Sequence, residues 1–284
     1  MKNTPGSQFW MGQIFRLWIL CLALIVAVPV SAAELVLTSP PRETPEAGMK
    51  LYGPIAAYLS KLWGTRVVYK HPSNWLTYQR DMRDDAYDVI FDGPHFASWR
   101  MVHLGNRVAV RLPGTLRFAL VVRADDASIK TPEDLIGKTI CTLPPPNLAT
   151  MTIINQFTNP ARQPVIRGVA GGNPKVLAAF YSGECQAAVF RTEFVNKKFT
   201  DKDRAATRII FTSKPLPNQV ITVSKRVTPA EMDAMVQGLT HGPGVAATEG
   251  ILKRFGGKSK AFIPAVASEF GGINNLLEGV IFGW

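Results

Sequence analysis

The residues best placed to do chemistry in this 284-residue chain sit in five short corners rich in Gly, Pro and Asn. They are Ser39-Pro40-Pro41-Arg42, Asp92-Gly93-Pro94-His95, Pro144-Pro145-Pro146-Asn147, Gly171-Gly172-Asn173-Pro174 and Arg191-Thr192-Glu193. Each follows a short apolar run that reads as a strand. Glycine lets a ligand approach the backbone closely. A helix start offers unpaired N–H groups and the positive end of the helix dipole. Together these features suit an oxyanion or a carboxylate. Gly, Pro and Asn are also ordinary turn residues, but the placement of all five corners at strand ends favours a shared role.

Catalytic patterns are absent. There is no Gly-x-Ser-x-Gly elbow, no P-loop and no paired-cysteine metal motif. His71, His95, His103 and His241 lack metal-ligand spacing. Asp92 and Glu193 could pair as carboxylates, yet nothing marks a nucleophile or a positioned base. The chain therefore reads as a binding protein, not an enzyme, with no metal and no cofactor.

The elements that must position these corners follow from periodicity. Strands are expected at 34–39, 65–69, 87–91, 107–111 and 116–123, with helices at 47–63, 75–83 and 94–104. A second unit begins at Thr131-Pro132-Glu133-Asp134, a helix start with hydroxyl cap, proline and acids. Strands at 139–143, 165–169 and 186–190 alternate there with helices at 147–157 and 174–182. A last strand is expected at 220–223, then helices at 228–239, opened by a capping box, and at 245–255. The repeated β-α-β order implies parallel sheets with right-handed crossovers. In such sheets ligands sit beyond the carboxyl ends of the strands, where the corners lie. If two sheets face each other, all five corners line one crevice.

The N-terminus stands apart. Lys2 and Arg16 precede an apolar core at 17–30, and small residues follow at 31–33. This is the pattern of a secretory signal peptide, 1–33, cleaved after Ala32 or Ala33. The formal net charge is +11, spread along the chain without a dense Lys/Arg block, so nucleic acid is not an expected partner. Cys141 and Cys185 remain in the exported chain. They are either a disulfide or two buried thiols.

Four motifs then carry a family resemblance. Tyr87-Asp88-Val89-Ile90-Phe91-Asp92-Gly93-Pro94 resembles the strand-to-helix corner of the phosphate/phosphite/phosphonate-binding family. These are the periplasmic solute-binding proteins of ABC importers. The segment SIKTPEDLIGK (128–138), the run VLAAFYSGECQAAV (176–189) and Pro215-Leu216-Pro217-Asn218 resemble three further motifs of that family in the same order. The resemblance covers Glu34 to about Leu277. Where the family carries a Ser-Thr-Ser-Gly-like run, this chain reads Pro145-Pro146-Asn147-Leu148-Ala149-Thr150. That leaves Asn147 and Thr150 as side-chain hydrogen-bonding groups. Gly172-Asn173-Pro174 stands in place of a Ser-His-Asp, and Glu193 in place of an acid, with Arg191 beside it.

The resemblance implies an α/β fold of the two-lobed type II periplasmic binding protein class. Each lobe is a mostly parallel sheet flanked by helices. Two crossing hinge segments are expected near Val122-Arg123 and Lys214-Pro215, so that 34–122 and 215–284 form one lobe and 123–214 the other. It implies an exported, periplasmic, monomeric protein that captures a small anion of the phosphate, phosphite or phosphonate kind for an ABC permease. A membrane sensor as partner, a different small anion or zwitterion as ligand, or an exported enzyme on the same fold are the alternatives. Ligand-facing residues are then Arg42, Asp92, His95, Asn147, Thr150, Asn173, Arg191 and Glu193. Arg42, His95 and Arg191 meet negative charge, Glu193 meets an amine or hydroxyl, and Gly93 and Gly172 offer backbone N–H groups.

Overall fold

A computed structural model describes Met1 and residues 34–278; the rest of the expected signal peptide lies outside the described residues. The chain opens as predicted. Strand β1 (Leu35–Thr38), helix α1 (Pro45–Trp63), β2 (Val67–Tyr69), α2 (Trp75–Arg83), β3 (Val89–Asp92), α3 (Pro94–His103) and β4 (Arg107–Arg111) follow in turn. Local sequence explains the boundaries. The Thr44 hydroxyl caps α1 with Pro45 at its first position, the Asn74 carboxamide caps α2, and Gly64 ends α1 in the left-handed region at φ 65°.

Strand β5 (Thr115–Leu116) then leads into β6 (Phe118–Arg123), β7 (Thr139–Thr142), α4 (Leu148–Ile154), β8 (Val165–Gly168), α5 (Asn173–Tyr181) and β9 (Ala187–Arg191). Helices α6 (Thr192–Lys198) and α7 (Asp201–Ala206) and strand β10 (Thr207–Thr212) complete this half. The chain returns through β11 (Leu216–Pro217) into β12 (Val220–Val223), α8 (Pro229–Thr240), α9 (Gly244–Ala247), α10 (Glu249–Phe255) and β13 (Ile263–Pro264). The helix expected at 245–255 is thus two helices with Thr248 between them. The helix start at Thr131 yields only a short 3-10 turn, Pro132–Leu135.

Two sheets result, one per lobe. The first has the order β13-β4-β12-β3-β1-β2 and the second β10-β6-β9-β7-β8. Each has a parallel core: β1 pairs in parallel with β2 and β3, and β7 with β8 and β9. Into each, one strand inserts antiparallel. Strand β12 lies between β3 and β4, with Val220 opposite Asp92, and β6 lies between β9 and β10, with Phe118 opposite Arg191. Each inserted strand is the first one reached after the chain passes from one sheet to the other. Strand β6 therefore belongs to the second sheet, and the first change of lobe falls between Arg111 and Phe118, not near Val122. The short antiparallel ribbon of β5 and β11 pairs the two crossing segments, Leu216 with Leu116.

The cores follow the amphipathic patterns. Tyr52, Ile55, Ala56 and Leu59 of α1 pack on Leu35, Leu37 and Phe91 of the first sheet. In the second lobe a cluster on one sheet face contains Val176 and Phe180 of α5, Ala188 and Phe190, and Cys141 and Cys185, which form a disulfide. Met151 of α4 packs with Tyr78, Phe96 and Trp99 of the first lobe, so the lobes share an apolar contact.

Candidate functional site

A cavity of about 250 Å³ lies between the lobes. From the first lobe Pro40, Arg42, Trp75, Gly93 and His95 reach it; from the second, Pro146, Asn147, Leu148, Asn173 and Arg191 do. Four of the five predicted corners thus contribute through several residues or their leading one, and the fifth through Asn173. Its volume falls below the range typical of drug-sized ligands, roughly 300–1,000 Å³. No Asp or Glu is among the described residues that line it.

Arg42 lies in the loop between β1 and α1 and lines the cavity. Its Nη1 donates to the Gln219 carboxamide at 2.7 Å. Its guanidinium stacks over the rings of Phe255 and Phe91, 5.0 and 5.9 Å from their centroids. Its Nε and Nη2 are buried and have no hydrogen-bond partner among the described residues. Arg191, the last residue of β9, reaches the cavity from the opposite lobe and keeps only a loose 3.5 Å contact with Glu193. Burial pushes its guanidinium pKa down, and Glu193 opposes that shift. Two guanidiniums and no carboxylate make the cavity electropositive.

His95 occupies the second position of α3, is 2% exposed, and spans the lobes. Its Nε2–H donates to the Pro146 carbonyl at 3.0 Å. Nδ1 has no partner. Burial lowers its pKa to about 4, so the imidazole is neutral at neutral pH. His95 is therefore a dipolar wall and a bridge between lobes; it does not supply the positive charge expected of it. Gly93 has an ordinary φ of −77°, and the need for glycine there is steric. A Cβ would lie 2.6 Å from His95 Cε1 and 2.8 Å from Nδ1.

Asn147 is the N-cap of α4, its Oδ1 accepting from the Ala149 N–H at 3.0 Å, which leaves its amide NH₂ available beside the cavity. Asn173 opens α5 and lines the same space.

Four predicted residues are placed elsewhere. Asp92 is fully buried behind Gly93, held by Arg100 and the Tyr78 hydroxyl. Its carboxylate serves the fold, and no ligand reaches it. Thr150 is also fully buried, bonding the Thr142 hydroxyl at 3.1 Å and the Leu143 carbonyl, which pins the 143–150 corner. Gly172 takes φ 89° to turn the chain into α5 and does not line the cavity. The Glu193 side chain is 48% exposed and bonds Lys197 at 2.5 Å, which holds its carboxyl below the usual range.

Several lining residues carry no corner signature. Trp75, Phe96, Phe118 and Phe255 converge from four different elements, and Gln219 from the linker between β11 and β12. Phe96, directly after the Asp92–His95 corner, and Gln219, directly after the Pro215–Asn218 crossing, carry a positional hint. Among the described residues no cluster of three or more His, Cys, Asp or Glu could hold a metal ion.

The model of the ABC transporter phosphonate family, periplasmic substrate-binding protein, matches residues 37–270. No curated protein sequence matches the chain. Solved structures share the fold at low identity. PhnD1 from Prochlorococcus marinus, in complex with methylphosphonate, is 13% identical with a TM-score of 0.61, over 86% of this chain and 96% of that one. The binding component of an ABC phosphonate transporter from Pseudomonas aeruginosa is 13% identical with a TM-score of 0.57, over 87% and 86%. A Xanthomonas citri protein bound to ATP is 14% identical with a TM-score of 0.64, over 86% and 99%.

Proposed function

The chain belongs to the periplasmic substrate-binding proteins of phosphonate ABC transporters, and from that premise we propose that it captures a small phosphonate-like oxyanion between its lobes and delivers it to an ABC permease. The observation that carries this reading is the presence of Arg42 and Arg191, one from each lobe, at a cavity with no carboxylate among the described residues that line it. An anion bridging the two guanidiniums is bound better by the closed form than by the open one. That differential affinity is what shifts a two-state protein toward closure. The β5–β11 ribbon is the hinge. Capture is passive, and the protein acts as a monomer after residues 1–33 direct export and are removed.

The absence of a lining carboxylate disfavours a zwitterion, because Glu193, the acid assigned to an ammonium group, turns to solvent and Lys197. A thermal-shift screen of the mature protein tests the reading. Methylphosphonate, phosphite or phosphate should raise the melting temperature, since a ligand of the folded state alone stabilises it. A shift with amino acids or sugars and none with any phosphorus oxyanion contradicts it.

A further inference from the structure

The cavity carries more apolar surface than an inorganic oxyanion can use. Trp75 and Phe96 stack on the first-lobe side, ring centroids 6.2 Å apart and planes 25° from parallel. Leu116, Phe118 and Leu148 close the same space from the crossing segment and the second lobe. Among the described lining residues there is no Ser, Thr or Tyr hydroxyl and no carboxylate. Phosphate in water is hydrogen-bonded on every face, and a wall of rings and aliphatic chains replaces none of those bonds. Volume points the same way. An apolar cavity on the order of 150 Å³ holds a benzene ring. The space here is about 250 Å³, enough for such a ring and an oxyanion head.

We infer that the site takes an organophosphonate with an apolar substituent of about phenyl size. Its anionic head lies toward Arg42 and Arg191, and its substituent packs against Trp75, Phe96 and Phe118. This rests on the oxyanion reading above and narrows it. Inorganic phosphate leaves the apolar wall bare. An aminoalkyl phosphonate brings an ammonium group to a cavity without a carboxylate to meet it.

Trp75 is the specificity-determining residue. It is the first residue of α2, and that helix start is held independently of the indole, by the Asn74 carboxamide accepting from the Thr77 N–H at 2.8 Å. Half-buried at the cavity, the indole adds a large, rigid apolar surface to its wall.

The test is calorimetric titration of the full mature chain with phenylphosphonate, methylphosphonate, 2-aminoethylphosphonate and inorganic phosphate. Burying a phenyl ring should make phenylphosphonate about ten- to a hundredfold tighter than methylphosphonate. The other two should bind more weakly still. Trp75→Ala should cost phenylphosphonate about tenfold and methylphosphonate less than about threefold. Methylphosphonate or phosphate binding as tightly as phenylphosphonate overturns the inference and leaves the oxyanion reading standing. Equal losses for both phosphonates in Trp75→Ala overturn the placement of the substituent. Binding of none of the four overturns the oxyanion reading and the inference with it.

Discussion

Asp92 and Arg100 form a two-point ion pair from which solvent is excluded. Nη1 lies 2.6 Å from Oδ2 and Nη2 2.9 Å from Oδ1, and both side chains have no exposed surface. Arg100 also donates to the Thr222 hydroxyl at 2.7 Å, so the pair ties β3, α3 and β12 together behind the cavity wall. Burial, and then the Asp92 charge, push the Tyr78 phenol well up, which keeps it protonated to donate to Asp92. Removing one partner leaves a buried charge without compensation. Asp92→Ala should therefore cost about 3–5 kcal/mol, read as a lower midpoint in urea denaturation. A loss below about 1 kcal/mol, the range of exposed pairs, would show that the pair does not carry the fold.

The disulfide between Cys141 and Cys185 closes a 44-residue separation within the second lobe. Cross-linking restricts the unfolded chain, and loops of this size contribute about 2–4 kcal/mol. Both residues are buried, so a Cys141→Ala/Cys185→Ala double variant removes the bond without exposing a thiol. It should unfold at lower denaturant, and added reductant should shift the wild type alone.

Gly93 and His95 are coupled by contact. A methyl at position 93 would come within 2.6–2.8 Å of the imidazole. Gly93→Ala should displace the ring and break its bond to Pro146, the polar link between lobes. Losing one hydrogen bond of this kind costs about 1 kcal/mol. Ligand affinity should fall by about fivefold, and the melting temperature by about 2–4 °C, the shift that about 1 kcal/mol gives a chain of this size. Unchanged affinity would mean that the His95–Pro146 bond plays no part in closure.

His95 also sets a pH dependence with a definite sign. Its pKa is about 4 when folded, against 6.5 for the ordinary side chain. The unfolded chain thus binds this proton first as pH falls. The contribution is complete above pH 6.5 and is lost between 6.5 and 4. At pH 4.5 the loss should be about 2–3 kcal/mol. Urea denaturation at pH 7 and 4.5 checks it. His95→Phe should lose less stability than wild type over this window, and an equal loss would contradict the neutral buried imidazole. The other charges facing His95 are Asp92, Arg42 and Arg100, with Asp92 the one favouring protonation.

Much of this arrangement is legible in sequence where it depends on neighbours in the chain. The β3–α3 corner shows because an apolar strand, Gly93-Pro94 and a helix start lie within ten residues. Asn147 and Asn173 show because helix starts have characteristic residues. Asp92 misleads because a carboxylate at a strand end looks the same whether it meets ligand or Arg100, two helical turns on. Strand β6 misleads because an apolar run does not say which sheet receives it; insertion between β9 and β10 is a tertiary choice. Helices α6 and α7 escape because they are short and mostly polar, although Thr200 and Asp203 form a capping box, and the brief apolar run Ile209-Ile210-Phe211 of β10 is too short to separate strand from helix by period. The aromatic wall is illegible for the opposite reason. Trp75, Phe118 and Phe255 are separated by long stretches of chain, and only the tertiary fold brings them to one cavity.

The proposed capture places an oxyanion between Arg42 and Arg191. Calorimetric titration of methylphosphonate into wild type, Arg42→Met and Arg191→Met separates the two charges, since Met removes the guanidinium and keeps an unbranched apolar side chain, at Arg42 over Phe255. A hydrogen bond to a charged group contributes about 1.5–3 kcal/mol. Each variant should therefore bind about ten- to a hundredfold more weakly, with melting temperatures close to wild type. If both variants bind methylphosphonate within about twofold of wild type, the two arginines do not hold the ligand and the account fails.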